Sequence, residues 1–370
     1  MTCSGRRDDD QREYPGRVVR HPARVSLATG ATGGTRTGVR RTPGDFAAYD
    51  GLEEAPERAM NRTSISEIIL LGFEDLHNFK YFVFSLFLVI YLVTMAGNVL
   101  IIVLVSASSH LQSPMFFFLG HLSISDMILI SNIIPNMLHV ILLGGRSKMS
   151  LNGCVVQYLV YGSLVSTECL LLTSMSYDRY VAICKPLHYI TIMDHKCCMY
   201  LVTFSWLLGI TITLITMFFQ TLWFCGPNVI DHYFCDLGPL LELSCSDTTI
   251  VKYEVLIVSS IFTIIPFVFI TVTYICIFMA IMKITSIMGR QKTFSTCSSH
   301  LTVVCAYYGA LFVMYVVPSR GQSLNMNKGV SLMYTVVTPL FNPIIYSLRN
   351  QEMRTVMWKC LSMCKNIYKG

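Results

Sequence analysis

The chain has 370 residues, of which 53% are hydrophobic and only 14% charged, and its net charge is +6. Soluble domains carry about 25% charged residues, so this composition excludes an ordinary water-soluble globule and indicates a membrane protein with several spans. The basic excess is no nucleic-acid signature: Lys and Arg lie scattered between apolar segments, with no basic stripe and no interleaved aromatics.

Residues 1–59 differ from everything after them. They hold ten Arg, no Lys and nine acids, with frequent Gly, Thr and Pro. Such a segment cannot bury enough surface to fold alone, and it lacks the apolar core of a secretory signal. It reads either as an extension upstream of a natural start at Met60 or as a disordered extracellular tail. Residues 60–80 then read as an extracellular N-terminus, 81–348 as the membrane domain and 349–370 as a cytoplasmic tail. Asn61-Arg62-Thr63 is an N-glycosylation acceptor and calls for a lumenal N-terminus.

Seven stretches are long and apolar enough to cross about 30 Å of hydrocarbon as helices. They lie near Tyr81–Val105, Met115–Leu143, Val155–Cys184, Met199–Phe224, Val255–Met282, Phe294–Val317 and Lys328–Leu348. The expected fold is an all-α seven-helix membrane bundle with a short amphipathic helix in the tail. From Met60 on, one set of loops and ends carries eleven Lys and Arg and the other seven, so the first set, with Arg179, is expected in the cytoplasm. Cys154, Cys225, Cys235 and Cys245 lie on the opposite, oxidising side, where four cysteines allow three pairings. Cys360 and Cys364 follow the last span in a basic segment that suits palmitoylation, or no modification at all.

Lipid penalises polar side chains, so those inside spans are candidates for function. The first span holds Asn98, the second Asp126, the third Glu168 and the seventh Asn342-Pro343, with Tyr346 one turn on. Two nearby carboxylates, Asp126 and Glu168, would hold a sodium ion or share a proton, or else form a hydrogen-bonded packing cluster. Pro266, Pro339 and Pro343 free backbone groups inside spans and mark candidate hinges.

The third span ends in Met175-Ser-Tyr-Asp-Arg-Tyr-Val-Ala-Ile-Cys-Lys-Pro-Leu-His-Tyr189, where Pro186 stops the helix. Asp178-Arg179 at its foot is either a snorkelling pair at the lipid boundary or a functional site. From Cys154 to Glu168 there is no charge. The stretches Ile257–Ile270, Val303–Tyr315 and Ser331–Val337 are similarly uncharged and mix apolar, aromatic and hydroxyl side chains. A pocket between them suits a small, neutral, mostly apolar ligand. Enzyme signatures are lacking: the chain has no His-Glu-x-x-His, Gly-x-Ser-x-Gly, phosphate loop or Cys-x-x-Cys metal pair.

Five stretches together resemble the odorant receptors, a branch of the rhodopsin-like G-protein-coupled receptors. They are the Met175–Tyr189 stretch; Ser113-Pro-Met-Phe-Phe-Phe-Leu119, running on to Asp126; Phe224–Cys235; Lys292–Leu301; and Pro339–Asn350. The likeness covers Met60 to about Lys365, and residues 1–59 match nothing in that pattern. Departures are mild: Phe116 stands for the usual Tyr, Ser176 and Thr293 for the usual Ala, and Thr273 where Ser is common.

The resemblance implies a receptor on the plasma membrane, in the cilia of olfactory neurons. It would bind a small-molecule odorant, sit in lipid, and activate a stimulatory olfactory-type G protein that raises cyclic AMP, with no part for nucleic acid. Arg179 would be the switch, held by Asp178, beside Tyr180, with Tyr274 and Tyr346 meeting it in the active state. Asn98, Asp126, Glu168 and Asn342 would form the internal polar site, with sodium between Asp126 and Glu168 and no other cofactor. Cys154–Cys235 and Cys225–Cys245 would be disulfides. Tyr161, Gly162, Val165, Ser166, Val258, Ser259, Phe262, Tyr308, Phe312, Tyr315 and Thr335 would line the odorant cavity. Rival readings are a rhodopsin-like receptor for another neutral ligand outside the nose and, more remotely, a seven-span channel or transporter. Transporters commonly carry internal repeats, of which the sequence shows none.

Overall fold

The computed structural model describes residues 66–73, 79–218, 223–224, 228–316 and 324–367. These residues lie within one compact unit, Ala59–Gly370. Residues 1–59 and Asn61 fall outside the described part, as does Cys225.

Seven long helices fold against one another among the described residues. The first four are Lys80–Ala107, Pro114–Leu142, Leu151–Cys184 and His195–Phe218. The fifth is Thr249–Met282 and the sixth Ile287–Val316. The seventh runs from Leu324 to Arg349 through a π-helical turn at Met333–Val337. Six of the seven are apolar enough to cross a membrane; the sixth is as long but carries the polar run Lys292–His300. An eighth helix, Gln351–Ile367, follows the seventh. Asn350 starts it by accepting hydrogen bonds from Glu352 N (3.0 Å) and Met353 N (3.1 Å), two of the donors that a helix start leaves unpaired.

Several boundaries differ from those expected. The fourth helix begins at His195 rather than Met199, and Phe224 is not helical but bridges Ser244 in an antiparallel pair. The fifth begins at Thr249 and the sixth at Ile287, each more than a turn before the apolar run. Helical hydrogen bonding does not stop at the hydrocarbon edge, so apolar runs understate helix length.

The π-turn has a local cause. Pro339 lacks an N–H and its ring crowds the carbonyl four residues back, so the turn before it widens. The Thr338 hydroxyl donates to Met333 O (3.2 Å), five residues back.

One end of the bundle carries a small three-stranded sheet that helical periodicity did not anticipate. Strand β1 (Glu67–Leu71) lies at its centre. It pairs antiparallel with β2 (Arg146–Ser150) and parallel with β3 (Val229–Ile230). Side chains alternate across a strand, so Ile68 and Leu70 point the same way. Both are fully buried, against Val140, Ile230 and Leu240. Gly144 and Gly145 (φ 77° and 94°) make the turn from the second helix into β2, a backbone region that favours glycine. The Ser150 hydroxyl then caps the third helix, accepting from Gly153 N at 3.1 Å.

Apolar burial continues through the bundle. Ile130, Ile133 and Met137 pack near the sheet end; Leu119, Leu171, Met175 and Tyr346 pack toward the other. The first and fifth helices leave many large apolar side chains exposed, among them Val89, Leu92, Ile264 and Phe267, as helices against hydrocarbon do.

Candidate functional site

Three polar constellations sit along the bundle axis. The first lies under the sheet. Cys154 at the head of the third helix is joined to Cys235 by a disulfide, which pins the loop carrying β3 over the bundle. Gln157 adds a second tie, accepting from Cys235 N at 2.8 Å while donating to Asn132 O at 2.8 Å. Cys245 is also disulfide-bonded.

The pinned loop drives His232, Tyr233 and Phe234 into the bundle, all buried. Tyr233 stacks on Phe73 (5.8 Å between ring centroids), and its hydroxyl lies 3.1 Å from the Thr335 hydroxyl. Phe234 meets the edge of Tyr161 (5.3 Å). Lys328, only 6% exposed, ties three segments together: it donates to Gly72 O (2.8 Å) beside β1 and pairs with the Asp231 carboxylate beside β3, while itself on the seventh helix.

Beneath this roof, between the third, fourth and fifth helices, is a cavity of about 120 Å³. Seven expected pocket residues line it: Tyr161, Gly162, Val165 and Ser166 from the third helix, and Val258, Ser259 and Phe262 from the fifth. Four do not join them. Tyr308 is buried against Phe267 (5.4 Å), Phe312 is 62% exposed, and Thr335 is covered by Tyr233. Tyr315 lies on the sixth helix, with its side chain outside the described part. The wall also includes residues that the sequence reading did not single out, chiefly Thr213 and Thr216 of the fourth helix and Asp236 of the loop. Position next to Cys235 was the available signal for Asp236, since a residue beside the disulfide must sit over the third helix. Gly162 is a close approach: a Cβ there would meet Thr213 Cγ2 at 3.0 Å.

The second constellation is deeper. Asp126 accepts from Asn342 Nδ2 with both oxygens (3.1 and 2.9 Å), and Glu168 accepts from the Ser125 hydroxyl at 3.0 Å. Asn98 donates to Thr94 O (3.1 Å) and Pro339 O (3.4 Å), but its buried Oδ1 has no partner among the described residues. All four residues are buried, and the two carboxylates lie within electrostatic reach of each other. Asn342 turns its amide nitrogen, not its oxygen, to Asp126, so the carboxylates of Asp126 and Glu168 are the oxygens of a kind that a hard cation takes.

The third constellation closes the other end. Asp178 is fully buried and the Arg179 side chain 12% exposed; they form an ion pair, with Arg179 Nε 2.8 Å from Asp178 Oδ2. Tyr189, the last residue of the same stretch, donates to Asp178 Oδ1 at 2.7 Å. Tyr180 packs with Tyr274 against Ile277, Ile281 and Cys297. Tyr274, Tyr346 and His300 lie within electrostatic reach of the Arg179 guanidinium. The Tyr274 hydroxyl lies 2.6 Å from His300 Nδ1, and the buried Tyr346 hydroxyl has no partner among the described residues. Tyr189 and His300 lie within the Met175–Tyr189 and Lys292–Leu301 stretches but outside the set of expected site residues. A tyrosine after the helix stop and a lone histidine inside a span were the signals.

The olfactory receptor family model matches residues 87–364. The chain is 45% identical over 312 residues to olfactory receptor 5G9 of Mus musculus, covering 84% of this chain and 99% of that protein. It is 43% identical over 295 residues to olfactory receptor 5G3 of Homo sapiens, covering 80% and 94%. Among solved structures, the crystal structure of squid rhodopsin superposes with a TM-score of 0.62 at 16% identity, covering 76% of this chain and 80% of that one, a likeness of fold alone.

Proposed function

Since the chain belongs to the olfactory receptor family, we propose that it is an odorant-gated receptor that activates a stimulatory heterotrimeric G protein. The sheet end faces outside, the side on which the Asn61-Arg62-Thr63 acceptor would be glycosylated, and the Arg179 end faces the cytoplasm. A small volatile ligand enters the cavity under the roof and binds more tightly to the active arrangement than to the resting one. A ligand shifts such an equilibrium only by that difference, and moving it from 1:99 to 99:1 takes about 5.5 kcal/mol. A ligand of about ten heavy atoms against mostly apolar walls binds weakly, on the order of micromolar, so broad tuning follows.

The observation that carries the reading is the buried Asp178–Arg179 pair, which has Tyr189 as a second restraint on the carboxylate. Release of Arg179 exposes a guanidinium, a rigid five-donor fork, to an intracellular partner. Tyr274 and Tyr346, within electrostatic reach of it, would hold its new position. Asn98, Asp126, Glu168 and Asn342 would hold sodium in the resting state, where the ion would neutralise carboxylate charge. Meanwhile Asn342 and Asn98 tie the seventh helix to the second and first.

Arg179→Ala should abolish ligand-evoked cyclic AMP while leaving the protein measurable at the cell surface. An intact response at normal surface level removes Arg179 from the mechanism.

A further inference from the structure

Among the described residues, the cavity under the roof has one acid in its wall, Asp236. Its Oδ1 accepts from Leu237 N at 2.7 Å and so starts the short helix Leu237–Glu242. Its other oxygen meets no hydrogen-bond donor and no cation among the described residues. Lys328, a cation of the roof, is already held by Asp231 and Gly72 O.

The hydroxyls opposite reinforce the bias. Thr213 donates to Gly209 O (3.0 Å) and Thr216 to Ile212 O (2.8 Å). Each hydroxyl has a single proton, so both turn only lone pairs toward the cavity. Ser166 and Ser259 can rotate to suit either partner. Thr213 and Thr216 are therefore fixed as acceptors, while the Tyr158 and Tyr161 phenols, also in the wall, can donate or accept.

We propose that Asp236 makes this cavity selective for ligands with a hydrogen-bond-donating head, an alcohol or amine on a short apolar body, over acceptor-only ligands such as ketones and ethers. This rests on the odorant-receptor reading and narrows it. A carbonyl placed at Asp236 sets acceptor against acceptor and leaves both unpaired, whereas a hydroxyl or ammonium fills the position. Sites built to hydrogen-bond a polar head reject analogues that lack it far more strongly than apolar pockets reject an extra methylene.

The test uses the full chain in cells with a cyclic AMP reporter and matched short-chain probes: pentanol, pentylamine, 2-pentanone and methyl butyl ether, with their next homologues. The wild type should respond to the alcohol or amine at concentrations about tenfold or more below the ketone and ether. Asp236→Asn keeps the helix start, since Asn caps as well as Asp, but turns an amide donor to the cavity. It should lose the alcohol or amine preference by about tenfold and gain response to the ketone. Should that variant fail to reach the surface, Asp236→Ser, also a good cap, should likewise lose the preference. Equal wild-type responses to ketone and alcohol overturn the Asp236 inference alone. So does an unchanged ranking in a surface-expressed variant. Silence to every probe, with Arg179→Ala no different from wild type, overturns the odorant-receptor reading and this inference with it.

Discussion

The Ser176 hydroxyl lies 2.5 Å from the Thr273 hydroxyl, linking the third helix to the fifth about one turn from Arg179. Thr273 spends its own proton on Ile270 O (2.7 Å), so Ser176 is the donor between the two. Both residues stand where the odorant-receptor pattern differs, and their meeting makes a polar staple beside the Asp178–Arg179 pair. A buried hydrogen bond of this kind is worth about 1 kcal/mol, or roughly a fivefold change in a two-state population. Ser176→Ala should therefore raise basal cyclic AMP several-fold at equal surface level. An unchanged baseline shows that the staple does not restrain the resting arrangement. The individual participants, Asp126, Glu168, Asn342 and Arg179, were readable because lipid makes such side chains costly. Their partners were not: Asp126 and Asn342 are 216 positions apart, and no local pattern encodes that meeting.

Helices were the most legible elements, because an apolar run long enough to cross hydrocarbon has few other ways to satisfy its backbone. The roof was not legible. Ile68 and Leu70 do alternate with their neighbours, but a five-residue strand gives little signal when its partners lie far along the chain. The π-turn likewise needs the ring of Pro339 within an already packed seventh helix. The roof also carries a titratable group. His232 is buried with Nε2 3.3 Å from the Ser331 hydroxyl and its ring on Tyr233 (4.6 Å). Burial first, then the Lys328 ammonium, lowers its pKa from 6.5 to about 4, against a smaller opposing pull from Asp231 and the contact with Phe234 N. Above pH 6.5 the ring is neutral folded or unfolded and adds no pH dependence. As pH falls from 6.5 toward 4, the unfolded chain takes up a proton that the folded one refuses, and stability drops by on the order of 3 kcal/mol. Thermal unfolding of the detergent-solubilised protein should fall between neutral pH and about pH 5. His232→Gln should flatten that slope, and a slope identical to wild type assigns it to other groups.

Across the whole molecule, the described contacts of the roof begin at Ser66, whose carbonyl accepts from Leu151 N at 3.0 Å. A chain starting at Met60 keeps all of them and should signal and reach the surface like the full chain. One starting at Gly72 loses the central strand and uncovers Val140, Ile230 and Leu240. Removing Ile68 and Leu70 alone forfeits about 3 to 6 kcal/mol of apolar burial. Its surface level should collapse; normal surface delivery of that truncated chain shows that the strand is dispensable. The strand's place in the sheet also sets an order of manufacture. Ile69 leaves the ribosome early, yet its parallel neighbour Val229 is translated 160 residues later, after four spans have been threaded. On the proposed orientation, the nascent chain would throughout that interval present an unfinished β-edge to the lumen, where a chaperone or another half-made copy can pair with it. Stalling between the first and fourth spans is thus the moment at which quality control has most to catch.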